Sequence, residues 1–318
     1  MRLERGVALI TVLLVVALVT VMASALVSRQ YLAVQSTTHH LTARQVAQHA
    51  QSAEVLAKAL LRQDLLSGDR QAPIDHLQEN WAREHPVLEM DDGSGVRFAI
   101  EDAAGLFNLN RLQTDDQALQ QFRRLLLGLG IEPLLAERLK DWLDADHEVS
   151  ASHSAEENHY LLYERPYRTA NRALSHVSEL RLITGVSAQD YQKLAPFVSA
   201  LPASVGINVN TAPARVIACL GDGISLERAQ TLVAARAQAI FTSVQGFISH
   251  PLVSHAQIDT QGLAVSSQYF YLTSKVQMHE REFVWLSLLQ RSEEGWVRVL
   301  ARQTDRSRSL LTARNLSP

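Results

Sequence analysis

The stretch from Val7 to Val27 contains no charge, no Pro and no Gly, and its only polar side chains are the hydroxyls of Thr11, Thr20 and Ser24. Coiled as a helix, such a run matches the hydrocarbon thickness of a bilayer. A short leader, Met1 to Gly6, precedes it with Arg2 and Arg5 against Glu4, and Arg29 follows it. The positive-inside rule favours the start in the cytoplasm and the remainder outside. Three organisations fit this pattern. One is an uncleaved single-pass anchor; another is a secretory signal peptide with Ala23-Ser24-Ala25 as its small-residue cleavage site. The third is a charged leader ending at Gly6 ahead of an unbroken helix.

No Gly or Pro occurs between Val7 and Ser67, and Gly68 then offers a helix stop. Leu41, Ala50, Ala53, Leu56, Ala57, Leu60 and Leu61 recur at helical spacings. The spacing predicts one helix of roughly 90 Å at 1.5 Å per residue, apolar all round at first and one-sided later. A signal peptide has no need of that continuation.

Basic leader, Gly6, apolar helix and amphipathic extension together resemble the type IV pilin-like proteins. The resemblance implies cleavage by a prepilin peptidase between Gly6 and Val7, with N-methylation of Val7. Most such proteins carry Glu at the fifth mature position, to offset the amine of a neighbouring subunit. Thr11 stands there instead, which is similar to the K-type minor pseudopilins of type II secretion (general secretion pathway protein K). A subunit with no neighbour ahead has no amine to neutralise, and an unpaired carboxylate buried among apolar helices costs several kcal/mol. The resemblance implies a subunit of the bacterial inner membrane, single-pass, with its bulk in the periplasm. It would sit at the tip of a short filament, with other minor pseudopilins as partners through the N-terminal helix and pilin-like domain.

Beyond the helix, Val96–Glu101 alternates as a half-buried strand, after loop-rich residues and a short amphipathic helix expected over Ile74–Arg83. Strands are also predicted over Ser267–Gln277, Glu282–Gln290 and Trp296–Arg302, an antiparallel meander. The expected fold is α+β: a long N-terminal helix packed on a small antiparallel sheet, with a large helical region inserted between strands. The boundaries read as leader 1–6, membrane half 7–27, periplasmic half 28–67, pilin-like part 68–110, helical modules 111–202 and 203–255, and pilin-like part 256–318. The lone Cys219 excludes an intramolecular disulfide and suits a small buried apolar position.

Inside the insert, Asn108-Leu109-Asn110 recurs as Asn208-Val209-Asn210, each copy reading as a strand end into a capped helix. Leu125 to Pro133 and Leu182 to Ser187 resemble helix-hairpin-helix turns, with Gly128, Gly130 and Gly185 supplying tight backbone. Turns of this kind hold DNA phosphates when Lys or Arg cluster beside them. Here Glu132, Glu137 and Asp190 follow the turns and the cations are scattered, so scaffold is the reading and no nucleic-acid partner is expected. The alternative is a single-pass anchored helix-hairpin-helix DNA receptor.

Asp141, Asp144 and Asp146, followed by Glu156 and Glu157, gather the hard oxygen donors that calcium takes. Asp141-Trp142-Leu143-Asp144-Ala145-Asp146, then Ala155-Glu156-Glu157, then Pro166-Tyr167 to Ala170-Asn171 resemble the K-type pattern. That resemblance carries a structural calcium site over to Asp144, Asp146, Glu156 and Glu157. The pattern's usual Gly and Asp are replaced by Ser154 and Glu157. Zinc through His147, His153 and His159 lacks a regular ligand spacing. No phosphate loop or nucleophile motif points to an enzyme.

Overall fold

The computed structural model describes residues 3–69, 72–144, 160–161, 166–278 and 280–303. Asp146, Glu156 and Glu157, and the His residues weighed for zinc, lie outside them. Two compact units divide the chain, Met1–Gln51 and Ser52–Pro318.

Helix α1 spans Leu3–Ser67. From Leu9 to Leu41 its apolar side chains are open, Leu9 being 63% and Val27 63% exposed. This is the one helix among the described residues long and apolar enough to cross a membrane. Thr20 donates to the carbonyl of Val16 at 2.8 Å, which keeps its hydroxyl satisfied without water. The helix ends where the Gly68 N–H donates to Asp64 O at 3.1 Å.

In the second unit the last turns of α1 bury Ala53, Ala57, Leu61 and Leu65, an i, i+4 stripe. The strands in chain order are β1 (Leu88–Glu89), β2 (Gly95–Asp102), β3 (Phe107–Asn108), β4 (Val198–Ser199), β5 (Ile207–Asn208), β6 (Leu263–Ala264), β7 (Tyr269–Met278), β8 (Arg281–Arg291) and β9 (Val297–Gln303). Five form one antiparallel sheet in the order β1-β2-β7-β8-β9. Glu54 fastens α1 to it: its carboxylate accepts from Ser287 at 2.7 Å and from Arg302 at 2.8 Å on both oxygens. Burial would raise the Glu54 pKa, but the Arg302 fork and Ser287 outweigh it and hold the acid below its usual value.

The insert between β2 and β7 is built twice on one plan. In the first copy β3 pairs in parallel with β4, and in the second β5 pairs in parallel with β6. The second Asn of each motif clamps a distant backbone. Asn110 accepts from Leu174 N–H at 2.7 Å and donates to Leu174 O and Leu201 O, at 3.0 and 2.9 Å. Asn210 accepts from Phe241 N–H and donates to Phe241 O, both at 2.9 Å. A side-chain amide thus replaces a strand partner, at positions only 2% exposed. Because Leu263 and Ala264 complete the second copy, that module runs past the expected boundary at residue 255.

Helices α2 (Asp116–Gly128), α3 (Leu135–Leu143), α4 (Ala188–Leu194), α5 (Ala214–Cys219) and α6 (Leu226–Arg236) carry the modules. One apolar core, including Phe107, Phe122, Trp142, Ile217 and Phe247, runs through both. Each module has a Leu-Gly-x-Gly-Ile turn, Leu127 to Ile131 and Leu220 to Ile224, whose second glycine takes positive φ: 67° at Gly130 and 82° at Gly223. The two helices that lead into these turns cap each other. Arg124 of α2 donates to Cys219 O at 2.9 Å, and Arg215 of α5 donates to Gly128 O at 2.6 Å. Each guanidinium thereby serves the carbonyl end of the other helix, where positive charge is favoured.

The helix expected over Ile74–Arg83 reduces to a single 3-10 turn, Asn80–Ala82. Asp75 and Glu79 take long-range and loop partners instead, and Pro73 starts the segment. Cys219 is buried as expected, its thiol pushed up to about 12 by burial and hence protonated.

Candidate functional site

Gly6 and Val7 lie within α1 as described, and Thr11 lies on its exposed surface one turn further on. The structure therefore carries the expected processing and assembly positions on one continuous helix.

Of the expected calcium ligands, the described residues include Asp144, the half-buried cap that follows α3, whose N–H donates to Lys140 O at 3.0 Å. Two residues earlier, Trp142 belongs to an aromatic cluster. Trp142 meets Tyr160 edge-on at 5.2 Å and Tyr167 at 6.3 Å, and the two tyrosines lie 5.3 Å apart. Asn171, in a left-handed conformation at φ 44°, donates its N–H to Trp142 O at 3.1 Å. This cluster holds Trp142, Tyr160 and Tyr167 against one another. The donor set on offer is oxygen throughout, the chemistry that calcium prefers over soft metals.

A second constellation has no local signature in the sequence. Arg291, at the end of β8, is 3% exposed and sits between Asp64 of α1 and Asp75 of the following loop. It donates to Asp64 at 3.0 Å, Asp75 at 2.5 Å, Leu61 O at 3.2 Å and Ser267 O at 3.0 Å, with its plane 5.0 Å from the Phe270 ring. Asp75 also accepts from Ser267 N–H at 2.7 Å, and its carbonyl accepts from Asn208 at 3.0 Å. Asn208 continues to Asp102 at 3.0 Å, which further accepts from Thr211 at 2.6 Å and Ser267 at 2.5 Å. A buried polar chain thus joins the end of α1, the ends of β2 and β8 and the entry of the second module. Gly105 permits the close approach, because a Cβ there would lie 2.5 Å from Thr211 Oγ1.

Asp64, Asp75 and Glu79 come close enough to share a cation. Arg291 already supplies positive charge to two of them, so the cluster is an internal ion network. Burial is the main cause that pushes Glu79 up to about 7 and Asp102 up to about 6, and it also raises Asp64. A carboxyl whose folded pKa lies above its unfolded value stabilises the fold fully below the unfolded pKa and loses that contribution as pH rises through the folded one. Melting temperature should therefore fall as pH rises from about 4.5 to above 7. Glu79→Gln should flatten this slope, as read by circular dichroism melts across the range; an unchanged slope would refute the assignment.

A long N-terminal helix, apolar at first, whose last turns pack on an antiparallel sheet with helical modules spliced between its strands, defines a pilin-like subunit. Family models for type II secretion system (T2SS), protein K match residues 105–203 and 207–266. The type II secretion system protein K of Pseudomonas aeruginosa is 43% identical over 309 residues, covering 94% of this chain and 92% of that protein. That of Klebsiella pneumoniae is 37% identical, covering 91% and 93%. A chain of the GspK-GspI-GspJ complex from the type 2 secretion system of enterotoxigenic Escherichia coli superposes with a TM-score of 0.75 at 29% identity, covering 85% of this chain and 99% of that one. The chain belongs to the type II secretion system protein K family.

Proposed function

We propose that this protein is the minor pseudopilin at the tip of the type II secretion pseudopilus, where it initiates and caps the filament with other minor pseudopilins during export of folded proteins. The carrying observation is the likeness to a chain crystallised with two further pseudopilins, which extends over 99% of that chain. Its partners meet it through the N-terminal helix and the pilin-like sheet. Thr11 supports the foremost position, since a carboxylate there would be buried among apolar helices with no amine ahead to match it. The modules spliced between β2 and β7 give the subunit a bulk that suits a cap.

The chain is anchored by α1 in the inner membrane with the remainder in the periplasm. Prepilin peptidase cuts between Gly6 and Val7, and Val7 becomes the methylated mature end. Intact mass and N-terminal sequencing, with and without that peptidase, test this. A start at Val7 is expected only with the enzyme; a start at Leu26, or an uncut chain in both samples, overturns it. Copurification with the other minor pseudopilins tests the assembly role.

Calcium is structural in this reading, held by Asp144, Asp146, Glu156 and Glu157. It would supply the positive charge that lets these carboxylates close together. Added calcium at 100-fold above its dissociation constant should stabilise the fold by about 2.7 kcal/mol. The rise in melting temperature should vanish in Asp144→Asn with Glu157→Gln. Equal melts in calcium and in chelator would exclude the site.

A further inference from the structure

The outer face of the sheet is covered at one end and open at the other. Tyr269, Tyr271 and Leu286 pack under Ala103, Leu106 and Leu201 at the covered end. At the open end lies a groove of about 610 Å³ lined by Glu89, Gly95, Arg97, Lys275, Gln277 and Glu282 among others. Arg97 of β2 and Lys275 of β7 are register partners, directly opposite on neighbouring strands. Like charges in that position destabilise a ladder. Among the described residues neither cation forms an ion pair or a side-chain hydrogen bond. The register puts Glu89 opposite Gly95 and Glu282 opposite Gln277, one row further out. Two cations therefore lie inside the groove and two carboxylates at its outer row.

We infer that this groove is a docking site for a peptide segment of a protein partner that presents an isolated Asp or Glu side chain to Arg97 and Lys275. The opposed pair supplies two donors to one carboxylate, an arrangement that the sheet by itself disfavours. Glu89 and Glu282 accept backbone amides or a Lys on either side of that acid. The same two glutamates repel a chain charged at every step, so nucleic acid and other polyanions are the wrong occupant. Gly95 leaves the floor low, since a Cβ there would come within 3.1 Å of Val87 Cγ1. Nothing in this assignment depends on where the subunit stands in a filament.

The test uses the full chain in detergent micelles at low salt. The probe is a fluorescein-labelled nonapeptide with one central Asp, Ser and Thr around it and Lys at each end. A peptide with Asn in place of the Asp should bind at least tenfold more weakly by fluorescence anisotropy. The double variant Arg97→Gln with Lys275→Gln should lose binding at least tenfold, whereas Arg298→Gln on β9 should leave it unchanged. The double variant should melt at or slightly above the parent temperature, because its opposed charges are gone, so lost binding reports the groove and not unfolding. Equal binding of the Asp and Asn peptides, undiminished binding by the double variant, or tighter binding of a labelled oligonucleotide would overturn the proposal.

Discussion

Replacing Arg291 by Met should lower the stability of the second unit by about 3–5 kcal/mol, the usual effect of removing one partner from a buried ion pair. For a unit of this size that corresponds to a fall in melting temperature of roughly 6–20 °C. The loss arises less from the missing attraction than from what stays behind. Asp75 is 1% exposed and would remain a charge in the interior, with Asp64 beside it. Two carbonyls, of Leu61 and Ser267, would lose their donor in the same change. Asp75→Asn alone leaves the guanidinium paired with Asp64, and the Asn oxygen still accepts from Ser267. Combined with Arg291→Met it should recover at least half of the lost stability, because no buried charge at position 75 is then stranded. Thermal melts of the two single variants and the double variant measure this coupling. A loss below about 1 kcal/mol for Arg291→Met would mean that protons, and not the guanidinium, neutralise the carboxylates.

The parts of this fold that are legible in the chain share one property: their determinants are neighbours in sequence. Val7 to Ser67 lacks Gly and Pro, and the structure makes it one helix. Alternation over Val96 to Glu101 and the aromatic, β-branched runs near the C-terminus became β2, β7, β8 and β9. The ion network escaped because Arg291 lies far along the chain from Asp64 and Asp75 and none of the three sits in a motif. Ile74 to Arg83 misled for the same reason. Its local pattern favours a helix, but the partners that decide its conformation are Arg291 and Ser267. The turn Leu220 to Ile224 repeats the Leu127 to Ile131 turn in four of five residues, but a five-residue match carries little signal by itself. The processing positions Gly6 and Val7 are readable only as a pattern; the acidic stretch is readable as composition, while the aromatic cluster needs Tyr160 and Tyr167 folded against Trp142.

The second large effect should come from the paired clamps. Asn110→Ala strands the Leu174 N–H and takes the side-chain donor from two carbonyls in a fully packed region. At about 1–3 kcal/mol for each buried group left unsatisfied, the three groups set the expected cost at about 3–9 kcal/mol. Asn210→Ala strands one N–H and removes the donor to one carbonyl, both of Phe241, and should cost about 2–6 kcal/mol on the same basis. Asp at either position should be worse than Ala, since it keeps the acceptor but turns the donor into a charge facing a carbonyl oxygen. Hydrogen exchange separates the two modules. Asn110→Ala should speed exchange at Leu174 while the Phe241 amide stays protected, and Asn210→Ala should do the reverse. If either change released both amides alike, the two copies would open as one cooperative block. The shared core that runs from Phe107 to Phe247 would then outweigh the separate clamps in setting what unfolds first.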